Sequence, residues 1–67
     1  MSKEFGVHLR ELRKEKGYTQ QQMADMLNIS RSTYTYYEIG KSEPGFDCLR
    51  KLASILEVDY NTILDYK

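Results

Sequence analysis

The apolar residues near the start of the chain recur at helical rather than strand spacing. Phe5, Leu9 and Leu12 repeat at intervals of four and three residues, with charged residues between them. Lys16 continues this stripe, because its methylene stem can lie over a core while its ammonium stays in water. Gly17 then supplies a stop signal. The pattern predicts a helix over residues 3–16.

A second apolar stripe lies in the C-terminal half. Leu49, Leu52, Ala53 and Leu56 share one face of a helical projection. Pro44-Gly45 precedes them and marks a break in the chain. The segment therefore predicts a helix over residues 46–56 that begins after a turn.

One helix-start signal occurs three times along the chain. In each case a hydrophobic residue and a capping residue are followed by a hydrophobic residue at the fourth helical position, which is a hydrophobic staple. The three sets are Tyr18-Thr19 with Met23, Ile29-Ser30 with Tyr34, and Val58-Asp59 with Ile63. Gln22 lies three residues after Thr19, so the first set also predicts a capping box.

These signals predict an all-α chain in which residues 1–67 form one domain. The five predicted helices cover residues 3–16, 20–27, 31–38, 46–56 and 60–66. The alternation of threonine and tyrosine over residues 33–36 is typical of a strand. An isolated strand without a partner is not stable, however, and the staple that precedes it favours a helix.

The third helix has two different faces. Tyr34 and Tyr37 fall on one side, which we predict to face the core. The opposite side consists of Ser32, Thr35 and Tyr36, flanked by Arg31 and Thr33. These side chains can donate to phosphate oxygens and base edges. Taken alone, such a face is equally consistent with a polar surface that has no partner.

The segment before the third helix favours the interpretation that this face binds DNA. Ala24 is small where two helices would approach closely, and Asn28 tolerates the left-handed conformation that a sharp turn requires. The second and third predicted helices, linked through "LNIS" (residues 27–30), would form a helix-turn-helix. In that motif the second helix enters the major groove of DNA.

Length, net charge and cysteine content restrict the kind of protein but do not indicate a function. With 67 residues the chain has little core to spare for an enclosed pocket. Ten basic and ten acidic residues cancel, so net charge gives no argument for nucleic acid. The single Cys48 suits a reducing compartment. Because there is neither a signal-peptide pattern nor an apolar run of about 20 residues, we expect a cytoplasmic, nucleoid-associated protein with no membrane partner.

The sequence gives no support for catalysis. His8 is the only histidine and Cys48 the only cysteine, and they lie on separate predicted helices. A nucleophile needs a neighbouring base, and a metal site needs closely spaced ligands. We therefore expect no enzyme activity, no metal, no cofactor and no small-molecule ligand.

The stretch from Leu9 to Val58 resembles the phage-repressor (Cro-like, xenobiotic-response-element) helix-turn-helix family. The shared features are "TQ" at the start of the second helix, Ala24, "SRST" at the start of the third and "E-x-G-K" at its exit. The resemblance implies a compact five-helix, lambda-repressor-like fold and a transcriptional regulator, most simply a repressor. Asn28 and Glu57 stand where glycine is commoner in the family, and Tyr34 and Tyr37 where aliphatic residues or tryptophan are commoner.

The resemblance also implies roles for individual residues. Arg31, Ser32 and Tyr36 correspond to positions that reach base edges. Gln20 would contact a phosphate and brace the third helix, and Thr33 and Lys41 correspond to positions that contact the DNA backbone. Arg13 and Glu38 match an ion pair that joins the first helix to the end of the third.

Two further points stay open at this stage. A protein-interaction module on the same fold is an alternative to DNA binding, and within DNA binding the chain could be a repressor, an antitoxin-type regulator or a restriction-modification controller. One such helix reads few base pairs, so we expect a homodimer on a pseudo-palindromic operator. The candidate dimer surface is the apolar C-terminal set Val58, Tyr60, Ile63, Leu64 and Tyr66.

Overall fold

The computed structural model of the chain describes residues 3–64, and these form five α-helices without any β-strand. The helices are α1 (Lys3–Lys16), α2 (Gln20–Leu27), α3 (Arg31–Glu38), α4 (Phe46–Leu56) and α5 (Tyr60–Leu64). The predicted all-α class is confirmed, and the first four helices have the predicted bounds. The fifth is helical to Leu64, and the rest of its predicted range, with Tyr66, lies outside the described residues.

All five helices contribute to one hydrophobic core. α2 and α1 both pack against α3, while α4 packs against α5 and against the first two helices. The largest side chains with less than 2% exposure are Phe5, Leu9, Met23, Tyr34, Leu52, Leu56 and Ile63. Because the core takes one stripe from each helix, the opposite faces of the helices remain on the surface.

The two basic residues on the inward side of the last turns of α1 differ in burial. Lys16 is exposed, with 32% of its side-chain surface accessible, and its ammonium pairs with the carboxylate of Glu57. Arg13 is buried, with 8% of its surface exposed. Both positions are compatible with the helical repeat. Arg13 is the buried one because a carboxylate from α3 meets it there, whereas Lys16 ends the helix.

One type of three-residue connection joins α1 to α2, α2 to α3, and α4 to α5. The three connections are Gly17-Tyr18-Thr19, Asn28-Ile29-Ser30 and Glu57-Val58-Asp59. The first residue of each is left-handed, with φ of 78°, 59° and 58°. The amide of the second residue donates to a carbonyl five residues earlier, at 3.2, 3.0 and 3.0 Å, which closes a Schellman motif.

The same connections also start the next helix. In each, the second residue is half-buried against the core, and the third residue caps the following helix. The predicted capping box is confirmed. The backbone amide of Gln22 donates to Thr19 Oγ1 at 3.0 Å, and the backbone amide of Thr19 donates to Gln22 Oε1 at 2.8 Å. Asn28 has the predicted left-handed conformation. Glu57 adopts it too, so α4 ends where a glycine would be expected.

Gly6 allows α1 to approach the end of α3 more closely than any other residue could. A Cβ atom built on it would lie 2.2 Å from the carbonyl oxygen of Glu38 and 2.8 Å from that of Tyr37. Both obstructing atoms are backbone, so they cannot turn aside as a flexible side chain could. The residue was not recognised in the sequence, although a glycine inside a helix, where it weakens the helix, is a usable signal of close packing.

We expect Gly6→Ala to destabilise the protein by about 1–3 kcal/mol, as overpacked sites do, even though alanine is the better helix former. Val7→Ala is the matched control, because Val7 is the next residue on α1 and is 53% exposed. Urea unfolding of both variants measures the difference. A Gly6→Ala protein as stable as the wild type would show that α1 and α3 can separate at no cost.

Candidate nucleic-acid interface

The tyrosines of α3 divide between the core and the surface as the helical projection predicts. Tyr34 is fully buried, while Tyr36 is 41% exposed. Tyr37 is half-buried and meets Tyr34 edge to face, with ring centroids 6.4 Å apart and an interplanar angle of 82°. This register fixes which side of α3 faces outward.

The outward face of α3 and the start of α2 form a shallow groove. Its lining residues are Gln20, Arg31, Ser32, Thr35 and Tyr36. Five of the seven residues proposed from the sequence to contact DNA are thus adjacent in space. The side chains on this surface are hydrogen-bonding groups together with one aromatic ring, which is a composition suited to base edges and phosphates.

The other two proposed residues lie at the ends of α3. Thr33 is exposed in the first turn, and its hydroxyl shares a 2.8 Å hydrogen bond with that of the N-cap Ser30. Lys41 follows the helix, and its amide donates to the carbonyl of Tyr36 at 2.9 Å. Its ammonium lies 5.0 Å from the centroid of the Tyr36 ring, which is cation–π distance.

The carboxylate of Glu38 joins the first three helices beneath this surface. Arg13 Nε donates to Oε2 at 2.6 Å and Arg13 Nη2 to Oε1 at 3.2 Å, so the predicted ion pair is present and bidentate. Gln20 Nε2 donates to Oε1 at 3.0 Å, and the hydroxyl of Tyr34 donates to Oε2. Arg13 Nη1 also donates to the carbonyl of Tyr18 at 2.9 Å. Three donor side chains from α1, α2 and α3 therefore converge on one carboxylate.

The hydrogen bonds outweigh the burial of this carboxylate. Burial alone would raise the pKa of Glu38, but donation from Arg13, Tyr34 and Gln20 holds its pKa below the usual value. The hydrogen bond to Glu38 raises the pKa of Arg13, so the pair is ionised. Burial first, and then the bond to Glu38, raises the pKa of the Tyr34 hydroxyl, which remains a donor.

Gln20 connects this network to the groove. Its Nε2 is bonded to Glu38, and its Oε1 accepts a long 3.4 Å hydrogen bond from the Thr35 hydroxyl. The bracing role that the resemblance implied is therefore visible as two contacts from α2 to α3. The participation of Tyr34 was missed in the sequence, where it was assigned to the core only. Its spacing of four residues from Glu38 was the available signal.

The candidate dimer surface needs a correction at Ile63. This side chain is fully buried in the core, so it cannot contact a second molecule in this fold. Val58 and Tyr60 are half-buried and pack on the core, while Leu64 is 37% exposed. Ile63 is at the fourth helical position after Asp59, where the hydrophobic staple places a side chain against the core. The next residue, Leu64, therefore faces outward. Tyr66 lies outside the described residues.

An aromatic pair extends the exposed apolar area beside α5. Phe46, at the start of α4, is 66% exposed and meets Tyr60 edge to face, with ring centroids 5.7 Å apart.

Within residues 3–64 no group of acidic, histidine or cysteine side chains is arranged to hold a metal ion. None of the helices in that range combines the length and apolarity needed to cross a lipid bilayer.

Comparison with known proteins places this geometry in a family. The family model described as helix-turn-helix matches residues 9–63. The SPbeta prophage-derived uncharacterized HTH-type transcriptional regulator YonR of Bacillus subtilis (strain 168) is 50% identical over 60 residues, covering 90% of this chain and 56% of YonR. The chain thus spans about half the length of the curated relatives it matches.

Two solved structures share the fold. The restriction-modification controller protein C.AhdI of Aeromonas hydrophila superposes with a TM-score of 0.84 at 31% identity, covering 91% of this chain and 92% of that chain. SinR, the master regulator for biofilm formation, solved in complex with DNA, superposes with a TM-score of 0.82 at 29% identity, covering 91% and 98%. The five-helix arrangement is therefore that of helix-turn-helix DNA-binding domains.

We expect Glu38→Gln to destabilise the fold at pH 7 by about 3–5 kcal/mol, because it leaves the buried Arg13 guanidinium without a carboxylate. The pKa of Glu38 is lower in the folded protein than in the unfolded chain, where it is about 4.3. The ionised carboxylate therefore contributes its full stabilisation above this unfolded-state pKa. That stabilisation is lost as pH falls through the lower folded-state pKa. The stability gap between wild type and variant should therefore narrow below about pH 4.3.

Urea unfolding at a series of pH values measures this gap. Glu15→Gln removes an exposed carboxylate from α1 and serves as the control. A gap for Glu38→Gln that stays constant from neutral to acidic pH would contradict the ionised network.

Proposed function

Because the chain belongs to the helix-turn-helix family of DNA-binding transcriptional regulators, we propose that it binds double-stranded DNA sequence-specifically, with α3 in the major groove. The observation that carries this proposal is the groove formed by α3 and Gln20. Its polar side chains face outward, while the opposite side of α3 is fixed in the core by Tyr34 and by the Glu38 network. Occupying operator DNA with α3 is the most direct way for such a domain to affect transcription, so repression is the proposed role.

The proposed contacts divide into those that read bases and those that hold the backbone. Arg31, Ser32 and Tyr36 would reach base edges, with Thr35 beside them in the groove. The guanidinium of Arg31, exposed in the first turn of α3, suits the O6 and N7 atoms of guanine. Thr33 and Lys41, at the two ends of the helix, would meet phosphates.

The side chain of Gln20 has enough hydrogen-bonding groups both to brace α3 and to contact a phosphate. An amide nitrogen carries two hydrogens, and the bond to Glu38 uses one of them. The second is available for a phosphate oxygen at the start of α2, while the side-chain oxygen holds Thr35. The residue would therefore fix α3 and contact the DNA backbone at the same time.

A protein-interaction module on the same fold is the second candidate, and the net charge of zero favours it. Binding that depends on phosphate contacts weakens steeply with salt, whereas protein association need not. The salt dependence of binding to a duplex oligonucleotide therefore separates the two candidates. An antitoxin-type regulator would show both activities.

A homodimer on a pseudo-palindrome is the proposed assembly, because one recognition helix reads few base pairs and two copies would place their α3 helices about one helical turn of DNA apart, ~34 Å. The proposed interface is the apolar area of Phe46, Tyr60 and Leu64, because Ile63 is buried in the core.

We expect Arg31→Ala and Lys41→Ala to weaken DNA binding in different ways. Arg31→Ala should remove discrimination at one base pair of each half-site, worth about 1–3 kcal/mol. Lys41→Ala should preserve discrimination at that base pair and lower the salt slope by roughly one charge. Binding is measured on single-base variants of an operator selected from random oligonucleotides, at two salt concentrations. Equal losses for Arg31→Ala on every variant would assign Arg31 to the backbone instead.

We expect Leu64→Glu to weaken dimerisation while leaving the monomer folded, because Leu64 is partly exposed at the end of α5. Val7→Glu, a charge at an exposed apolar residue of α1, is the control. Sedimentation velocity gives the oligomeric state, and circular dichroism checks the fold. A folded Leu64→Glu protein that remains a tight dimer would rule out this interface.

A further inference from the structure

Tyr36 provides the apolar surface of the groove. Six large hydrophobic side chains are exposed within residues 3–64: Val7, Met26, Tyr36, Ile39, Phe46 and Leu64. Of these, Tyr36 is the one that lines the groove, where its neighbours are an arginine, a glutamine and two hydroxyl side chains. The groove thus combines hydrogen-bonding groups with a single large aromatic ring.

The ring is held from one side by Lys41. The ammonium lies over the ring at 5.0 Å from its centroid, and the Lys41 amide is bonded at 2.9 Å to the carbonyl of Tyr36 itself. The backbone bond returns the chain toward Tyr36 and keeps the Lys41 backbone near that residue. The cation–π contact favours the rotamer in which the Tyr36 ring lies against the Lys41 ammonium.

We infer that the Tyr36 ring reads the 5-methyl group of a thymine in the major groove and that Lys41 is the positioning residue for that ring. This inference rests on the proposed binding of α3 to DNA. The thymine methyl is the apolar group that base pairs present in the major groove, whereas the remaining edges are hydrogen-bond donors and acceptors. The polar residues of the groove match the latter, and the aromatic ring matches the methyl.

The test removes the methyl group and changes no hydrogen-bonding group of the DNA. An operator is selected from a random-sequence duplex pool, and each thymine of a half-site is replaced singly by deoxyuridine. We expect one thymine per half-site at which wild-type affinity falls about fourfold on replacement, which corresponds to roughly 0.8 kcal/mol for burying one methyl-sized group. The other thymines should show no such change.

Variants of Tyr36 assign the effect to the ring. Tyr36→Phe should retain the discrimination between thymine and uracil, and Tyr36→Ala should abolish it. Thr35→Ser is the matched control, because it removes the methyl group that Thr35 contributes to the groove while keeping the hydroxyl that bonds Gln20. Because Tyr36 is exposed, these variants should fold, which thermal melts would verify.

Variants of Lys41 test the positioning role separately from phosphate binding. Lys41→Met keeps an apolar stem without the charge, and we expect it to lower the thymine-to-uracil discrimination at the Tyr36 position as well as overall affinity. Lys41→Arg should restore the discrimination. If Lys41→Met lowers affinity equally on thymine and uracil operators, Lys41 serves only as a phosphate contact and the positioning role is overturned.

The outcomes distinguish this inference from the proposed function. Failure to select any duplex would remove the proposed function itself. Specific binding in which no thymine is sensitive to its methyl group, or in which the selected half-sites contain no thymine, would overturn the reading by Tyr36 while preserving DNA binding. So would discrimination that survives in Tyr36→Ala or disappears in Thr35→Ser.

Discussion

The buried carboxylate of Glu38 is the constraint on which the arrangement of the first three helices depends. A carboxylate removed from water loses several kcal/mol of solvation, so it is stable only when its oxygens are fully bonded. Arg13, Gln20 and Tyr34 supply those bonds from α1, α2 and α3. Displacing α1 from α3 would strand a charge, and displacing α2 would remove a hydrogen bond from the buried carboxylate, so the relative positions of the three helices are constrained.

This constraint has a direct consequence for the outward surface. A groove that reads base edges must hold its side chains in fixed geometry, because each hydrogen bond has a narrow range of distance and angle. Gln20 belongs both to the buried network and to the groove, and Thr35 is bonded to it. The network beneath α3 thus holds Gln20 and Thr35, two of the residues that we propose to meet DNA.

The small size of the core is compatible with the proposed function, which uses only the surface. The buried residues of all five helices are needed for stability, since a domain of this size buries only about 60% of its unfolded surface. Close approach at Gly6 and three tight connections hold the helices close together. Recognition by an exposed helix face requires no cavity, so it is compatible with so small a core.

The sequence by itself determined the features that depend on residues a few positions apart. Caps, staples and the left-handed Asn28 are local interactions, so the helix bounds and the register of α3 follow from spacing alone. The family resemblance added the pairing of Arg13 with Glu38, which spacing does not reveal.

Only the tertiary structure decided which of two equivalent positions is buried and what each buried group contacts. The helical repeat of α1 allows either Arg13 or Lys16 to face inward, and the position of Glu38 on another helix selects Arg13. The apolar end of the chain offers both Ile63 and Leu64, and packing buries the first. The distance between helices is set by all their side chains together, and no local pattern encodes it.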